Sequence, residues 1–406
     1  MKFVYFHPAQ KQDGFSKKRP IDCLKENFYR SLLILSVGAE PASALNVNET
    51  AVSRALSNCN QSTSGLSPLC SSASNSQDVV ALTPDQLFGM GSMATRVNGG
   101  STTRPVSSYH FDQRKGHAGG AGDSDYSKLS FWGKVDSDFG TRHTTSKIHG
   151  FDFDNHNFNA GGDYRLSDSW LAGALFAYRH NTASFDLNRG ETVNDSYTGG
   201  IYTTYQITDA LHVEATATYG GYHYDTQRNI NLVNLGSSTA KGSTNGGQYA
   251  FSWGGGYDFN YGALTIAPYA RGEYINLDID GYSESGSIVA VRFGKQNIES
   301  LVSTVGLQTA YTMSFSWGVL IPQLRGEWHH QYADGKRFIS TSFVSDPTNQ
   351  SFVMTGGLPT RDYYTFGAEL TGVMPGGVSA FLVYESLQGY ADIDSNKLML
   401  GTRLEF

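Results

Sequence analysis

At 406 residues the chain holds a domain of up to about 300 residues and a further segment, and its formal net charge of −7 argues against a nucleic-acid binder, whose phosphate contacts need a basic surface. Charged residues are 17%, against about 25% in soluble globular chains, while Gly numbers 46 and aromatics reach 13%; that composition suits alternating strands better than helices. Mean hydropathy is −0.34 and no run of roughly 18 apolar residues occurs, which excludes a transmembrane helix but not a membrane barrel, where only every second residue faces lipid.

Residues 1–44 read as a signal peptide or extended leader. Lys17, Lys18, Arg19, Lys25 and Arg30 make a basic region, SLLILSVG a short apolar core, and PASA, ending at Ala44, a small-residue cleavage site. The other reading is a buried helix of a soluble domain. The three cysteines, Cys23, Cys59 and Cys70, become an even pair if Cys23 leaves with that leader. Residues 45–97 are helical in pattern. Asn48 can cap a helix that places Val52, Ala55, Leu56 and Cys59 at i, i+3, i+4 and i+7. A turn containing Ser, Gly and Pro separates Cys59 from Cys70, candidates for a disulfide worth about 2–4 kcal/mol. A second helix start is Thr83-Pro84-Asp85-Gln86, with a capping-box spacing. Leu87, Met90, Gly91, Ala94 and Val97 follow at helical spacing. Residues 98–126, rich in Gly, Ser and Asp, read as a linker.

From residue 127 the chain becomes a succession of alternating segments separated by turn signals. About twelve strands are predicted, near 128–140, 154–166, 169–181, 196–208, 211–224, 247–260, 264–277, 299–313, 317–331, 363–374, 378–388 and 396–406. Short turns, such as Leu166-Ser167-Asp168-Ser169 and Pro375-Gly376-Gly377, alternate with longer polar connections at 141–153, 182–195, 225–246, 278–298, 332–362 and 389–395. Such asymmetry around an even strand count predicts an all-β, up-and-down outer-membrane barrel, short turns inside and long loops outside. Leu211, Val213, Ala215, Ala217 and Tyr219 are then lipid-facing, and His212, Glu214, Thr216 and Thr218 inward. Arg271, Glu273, Arg325, Glu327 and Glu369 also take the inner parity, predicting a polar, charged lumen. The last strand, KLMLGTRLEF, sets Leu398, Leu400, Leu404 and Phe406 on the lipid face and ends the chain on an aromatic. It closes the barrel by pairing with LSFWGKVDSDFG.

LSFWGKVDSDFG, NAGGDYRLSDSWLAGALFAYRHN, YTGGIYTTYQITDALHVEATATYG, LTIAPYARGEYINLDIDGYSESG and KLMLGTRLEF, taken in order, resemble the translocator barrel of the classical, monomeric autotransporters of type V secretion. The likeness covers about residues 127–406, and AVSRALSNC, PLC and ALTPDQL resemble that family's helical segment ahead of the barrel. The resemblance implies an outer-membrane anchor that exports its own N-terminal segment. Its implied partners are outer-membrane lipid, the barrel assembly machinery, which would read Leu398, Leu400, Leu404 and Phe406, and periplasmic chaperones. It also implies a pore segment, here within 98–126 or at 84–97, and a monomeric barrel. The family's passengers run to hundreds of residues, whereas about 80 lie between Ala44 and the barrel, so 45–97 is expected to be a minimal passenger or the remnant of a truncated one.

No enzyme is predicted. His329 and His330 are adjacent and so lie on opposite faces of a strand. Asp152, Asp154, Asn155 and His156, and Asp392, Asp394, Ser395 and Asn396, resemble calcium loops, but Arg403 stands where the second loop needs a carboxylate. Gly254-Gly255-Gly256 lacks the helix that a dinucleotide site requires. Arg271/Glu273 and Arg325/Glu327 recur as R-G-E, read as a charge ladder toward the pore segment or as mutual neutralisation. No cofactor, metal or nucleic acid is expected. A porin-like or adhesin barrel acting through its outer loops is the second reading, and a barrel protease or lipase the third.

Overall fold

The structure is a computed structural model that describes residues 45–57, 75–84, 86 and 128–406, apart from 146–147, 234–235, 334, 336 and 358. Twelve long strands form its barrel: β1 (Leu129–Arg142), β2 (Phe151–Ser167), β3 (Trp170–Phe185), β4 (Gly190–Gln206), β5 (Leu211–Leu232), β6 (Gly236–Tyr257), β7 (Leu264–Ile279), β8 (Gln296–Tyr311), β9 (Gly318–Gln331), β10 (Asp362–Met374), β11 (Val378–Gln388) and β12 (Ile393–Glu405). Phe259–Tyr261 and Met313–Phe315 continue β6 and β8 into their turns. Every strand pairs antiparallel with the next. β12 returns to β1 in a ladder running from Ser130↔Glu405 to Arg142↔Ile393, which leaves no free edge.

All twelve predicted strands are present, with two departures at the end opposite the short turns. The stretch 225–246, predicted as a polar connection, is the far half of the β5–β6 hairpin, paired as far as Leu232↔Gly236. Its Asn, Gln, Ser and Thr side chains are loop-like in composition, but the backbone ladder is unbroken. The connections 280–295 and 332–361 hold the strands Tyr282–Ser283, Val291–Phe293, Phe338–Phe343 and Ser351–Thr355, which form a separate four-stranded antiparallel lid. In the lid turn, Asp346 accepts from the Thr348 hydroxyl at 2.7 Å, Thr348 N–H at 2.9 Å and Gln350 N–H at 3.0 Å. Burial works against its charge, but those three donors hold its carboxyl below the ordinary range.

Two helices precede the barrel, α1 (Val47–Ser57) and α2 (Ser76–Leu82). The cap of α1 is Asn46, not Asn48: Asn46 Oδ1 accepts from the N–H of Asn48 and of Glu49, both at 2.9 Å, and Glu49 answers with Oε2 to Asn46 N–H at 2.7 Å. Thr83 ends α2, its N–H donating back to Val80 O, and Gln86 is again helical, while the rest of the helix predicted from Thr83 lies outside the described residues. Asn75 caps the start of α2 by accepting from Gln77 N–H at 3.0 Å. Cys59, Cys70, the predicted helix beyond Gln86 and the linker 98–126 lie outside the described residues.

Strand parity sorts the barrel as predicted. Leu398, Leu400, Leu404 and Phe406 face outward at 48%, 55%, 39% and 67% exposure, whereas Arg403 on the inner parity is buried. The glycine content has a packing cause as well: inward rings lie flat across neighbouring-strand glycines, and a Cβ at Gly401 would run into Phe381, one at Gly306 into Tyr269. Gly376 and Gly377, at φ 85° and 77°, supply the left-handed turn between β10 and β11.

Candidate functional site: the lumen and its outer mouth

At the seam near the short-turn end, Arg403 on β12 reaches across β1 to β2. Its Nη2 donates to Asp163 Oδ1 at 2.6 Å and to Ser130 Oγ at 2.7 Å, and its Nε to Glu405 at 3.1 Å. Ser130 donates to Asp163 Oδ1 at 2.7 Å, Tyr202 to Asp163 Oδ2 at 2.9 Å, and Trp132 Nε1 to the Tyr202 hydroxyl at 2.7 Å. Both Arg403 and Asp163 are buried, so each charge depends on the other and on the hydroxyls around them. Sequence reading placed Arg403 inward but missed this role.

Farther along, Glu327 is the hub of the lumenal charges. Its carboxylate accepts from Tyr269 OH at 2.7 Å and lies 3.5 Å from Arg271 Nη2, 3.9 Å from Arg325 Nε and 3.5 Å from His329 Nε2. Arg325 also pairs with Glu385, and Glu369 accepts from Gln323 and Thr371. The predicted R-G-E ladder is thus wired between strands. Arg271 on β7 and Glu327 on β9 are separated by β8, where Thr304 is the register partner of Arg271 and Gly306 that of Glu327; the missing side chain at Gly306 lets the two long side chains meet across β8. Glu273 shares the inner parity with Arg271, and Glu214 lies in its register row with Gly254 between them. His329 is lumenal and stacks on Tyr363, while His330 faces outward and meets Asp362 at 2.8 Å. Among the described residues no three or more His, Cys, Asp or Glu gather in a way that could hold a metal ion.

The far end of the lumen departs from the polar surface predicted for it. Tyr222, Tyr224, Ile230, Leu232, Leu277, Ile279 and Ile298 point inward there and join the lid residues Ile339, Phe343, Phe352 and Met354 in one core. Val52 and Leu56 of α1 and Val79 and Leu82 of α2 fill that core and are wholly buried. An apolar lumen wall is stable because a helix pair covers it. α1 lies along the lid strand Ser351–Thr355, and α2 along β5.

Polar groups fix the pair in place. Asn48 donates from Nδ2 to Thr355 O at 3.0 Å and accepts from Thr355 N–H at 2.7 Å, completing a strand edge. Arg228 donates from Nη1 to Leu82 O at 3.1 Å while its Nη2 meets Glu284 Oε2 at 2.6 Å and Val289 O at 2.9 Å. Arg189 donates to Thr83 O at 2.5 Å, Gln86 Nε2 to Arg189 O at 2.8 Å, and Val233 N–H to Asp78 at 2.8 Å. The two arginines occupy carbonyls that the end of α2 leaves without a helical partner.

The autotransporter β-domain family model matches residues 131–385. The esterase EstA of Pseudomonas aeruginosa is 28% identical over 214 residues, which is 51% of this chain and 32% of that protein. An extracellular serine protease of Serratia marcescens is 26% identical over 234 residues, 57% of this chain and 22% of that protein. The chain thus spans about a third or less of the length of these two curated relatives. The translocator domain of the autotransporter NalP from Neisseria meningitidis matches in structure with a TM-score of 0.56 at 17% identity, covering 70% of this chain and 90% of that domain. The family match runs from the first strand of a closed twelve-stranded barrel to its eleventh: this chain belongs to the autotransporter family and carries its outer-membrane β-domain.

Proposed function

We propose that the barrel anchors this chain in the outer membrane and delivers the chain's own N-terminal segment to the outside, with short turns in the periplasm and the lid outward. One observation supports this above others. The described N-terminal residues rest at the lid end of the lumen, whereas β1 begins at the short-turn end, where Phe406 N–H donates to Leu129 O at 3.0 Å. The polypeptide is therefore on one side of the membrane before it enters its first strand from the other. The barrel itself needs no cofactor for this and works as a closed, monomeric conduit. The names of the esterase and protease relatives describe those proteins; any catalytic passenger would belong to sequence other than the lumen wall, where the hub around Glu327 is an ion-pair network.

The test is a protease site placed just ahead of residue 45. On intact cells it is expected to be cut by added protease while the barrel stays intact; protection of that site alongside cleavage of lid loops overturns the reading. A second expectation concerns the terminal aromatic. Phe406 packs edge-on against Phe131 with ring centroids 6.2 Å apart, outside the barrel wall. Deleting it should cut the amount of folded barrel in the outer-membrane fraction several-fold, because the assembly machinery reads that strand end, while the detergent-refolded barrel keeps its thermal transition. Normal membrane yield would count against the targeting role.

A further inference from the structure

We propose that the lumen wall around β2 carries an asparagine track that holds the backbone of the exported polypeptide as it passes. The inference rests on the translocator reading and adds which face of the conduit the moving chain runs on. The sequence supplies the first sign. Asn is a poor strand former, yet Asn155, Asn157 and Asn159 alternate along β2 on the inner parity and are at most 4% exposed. Asn181 on β3 lies in the row of Asn155, and Asn194 on β4 in the row of Asn181. A wall that needed only wetting is served by Thr, as at Thr216 and Thr218 on β5, with better strand propensity.

The hydrogen bonds give these amides a direction. Asp136 on β1 accepts from Asn157 Nδ2 at 2.6 Å and from Asn159 Nδ2 at 3.2 Å, and Asn194 Oδ1 accepts from Asn181 Nδ2 at 3.1 Å. The donors are thus spent within the wall. The Oδ1 atoms of Asn157, Asn159 and Asn181, and both polar atoms of Asn155, are buried and meet no partner among the described residues. What is left is a set of neutral acceptors, and neutral acceptors suit N–H groups. Their spacing selects one kind of donor. Residues two apart on a strand repeat at about 6.6–6.8 Å, and so do the like-facing N–H groups of an extended chain laid along β2. Such a track reads backbone whatever the side chains, and its bonds are individually weak, so a chain can step from one to the next. On β7 to β11 the inner charges instead engage one another around Glu327 and Glu385.

The test uses the full chain with the protease site ahead of residue 45, followed as a time course of surface cleavage on intact cells. Asn155→Leu removes two polar atoms that have no partner in the wall, so the thermal transition of the refolded barrel should hold or rise. Surface appearance of the site should nonetheless slow by about threefold or more. Asn155→Gln, which keeps the amide, should restore much of the rate. Independently, a photoreactive residue in place of Asn181 should cross-link to a chain arrested in transit by a folded domain fused to its N-terminus. The same residue in place of Ser300, an inward position of β8 on the far side of the barrel, should give few such products. The proposal is overturned if Asn155→Leu exports at the unmodified rate, or if the two positions cross-link equally. An unmodified chain that never exposes its site removes the translocator reading as well, whereas normal export by Asn155→Leu removes the track alone.

Discussion

Replacing Arg403 with Ala is expected to lower the unfolding free energy of the barrel by about 3–5 kcal/mol, the cost of leaving a buried carboxylate without its partner. Asp163 would keep the Ser130 and Tyr202 hydroxyls at 2.7 and 2.9 Å but lose the cation at 2.6 Å. The position matters as much as the pairing. Arg403 spans the seam where the last strand meets the first, the one ladder that joins residues from opposite ends of the barrel sequence. Its loss loosens closure, and an open seam exposes two edges to aggregation. The measurement is urea unfolding of barrel refolded into vesicles, read by tryptophan fluorescence and by the gel shift between folded and heated forms. A cost below about 1 kcal/mol would place the pair among solvated surface bridges instead. Replacing both partners with apolar residues, Arg403→Met with Asp163→Leu, should recover much of the loss, since desolvation of the two charges then disappears as well.

The membrane wall was legible and the mouth was not, for a common reason. Lipid-facing positions obey a local rule. In Leu211 to Tyr219 every second residue must be apolar because the medium outside is apolar, and a stretch of nine residues displays the whole constraint. Inward positions obey whatever the lumen holds, which the strand itself does not record. In the lower lumen the content is polar, so Arg325 and Glu327 read correctly as inward charges, though their partners could not be named: Arg271 and Glu327 are brought together by topology alone. In the mouth the content is a helix pair, so Tyr222, Tyr224, Ile230 and Leu232 continue one inner parity with apolar residues. That continuation was the available signal. It was hidden by Asp225, Gln227, Asn229 and Asn231, whose polar side chains on the outer face resemble a loop because, at that height, the outside is water. The contact between Arg228 and Leu82 joins residues 146 apart and leaves no trace in either neighbourhood. The helix ends illustrate a smaller ambiguity. Asn46 and Asn48 are equally good caps by residue type, and the choice falls to Asn46 because Asn48 is taken by Thr355. Thr83 closes α2 through its hydroxyl, which donates to Val79 O at 2.9 Å, a use of that side chain its residue type does not announce.

A charge on the outer face of β12 separates membrane placement from mere closure. Leu400 sits in a row with Val135 on β1 and Leu382 on β11, at 55%, 50% and 46% exposure, so in water this row would be a costly apolar patch. Leu398 and Phe406 bound the apolar stretch of the strand, a span near the roughly 9–11 residues a tilted transmembrane strand needs, and Leu400 lies inside it. Leu400→Arg is therefore expected to cost about 2–4 kcal/mol in vesicles, and Phe406→Arg, at the interface, about 0–1 kcal/mol. In detergent micelles, which deform around a buried charge, the difference between the two should shrink. Equal costs at the two positions would mean that the strand is not held at a fixed depth. The Phe406 result carries a second meaning. A substitution that is nearly silent in refolded vesicles but lowers membrane yield in cells must act before the barrel is folded, through recognition of the strand end. The same residue at the seam would then be read twice, weakly by the bilayer and strongly by whatever assembles the barrel.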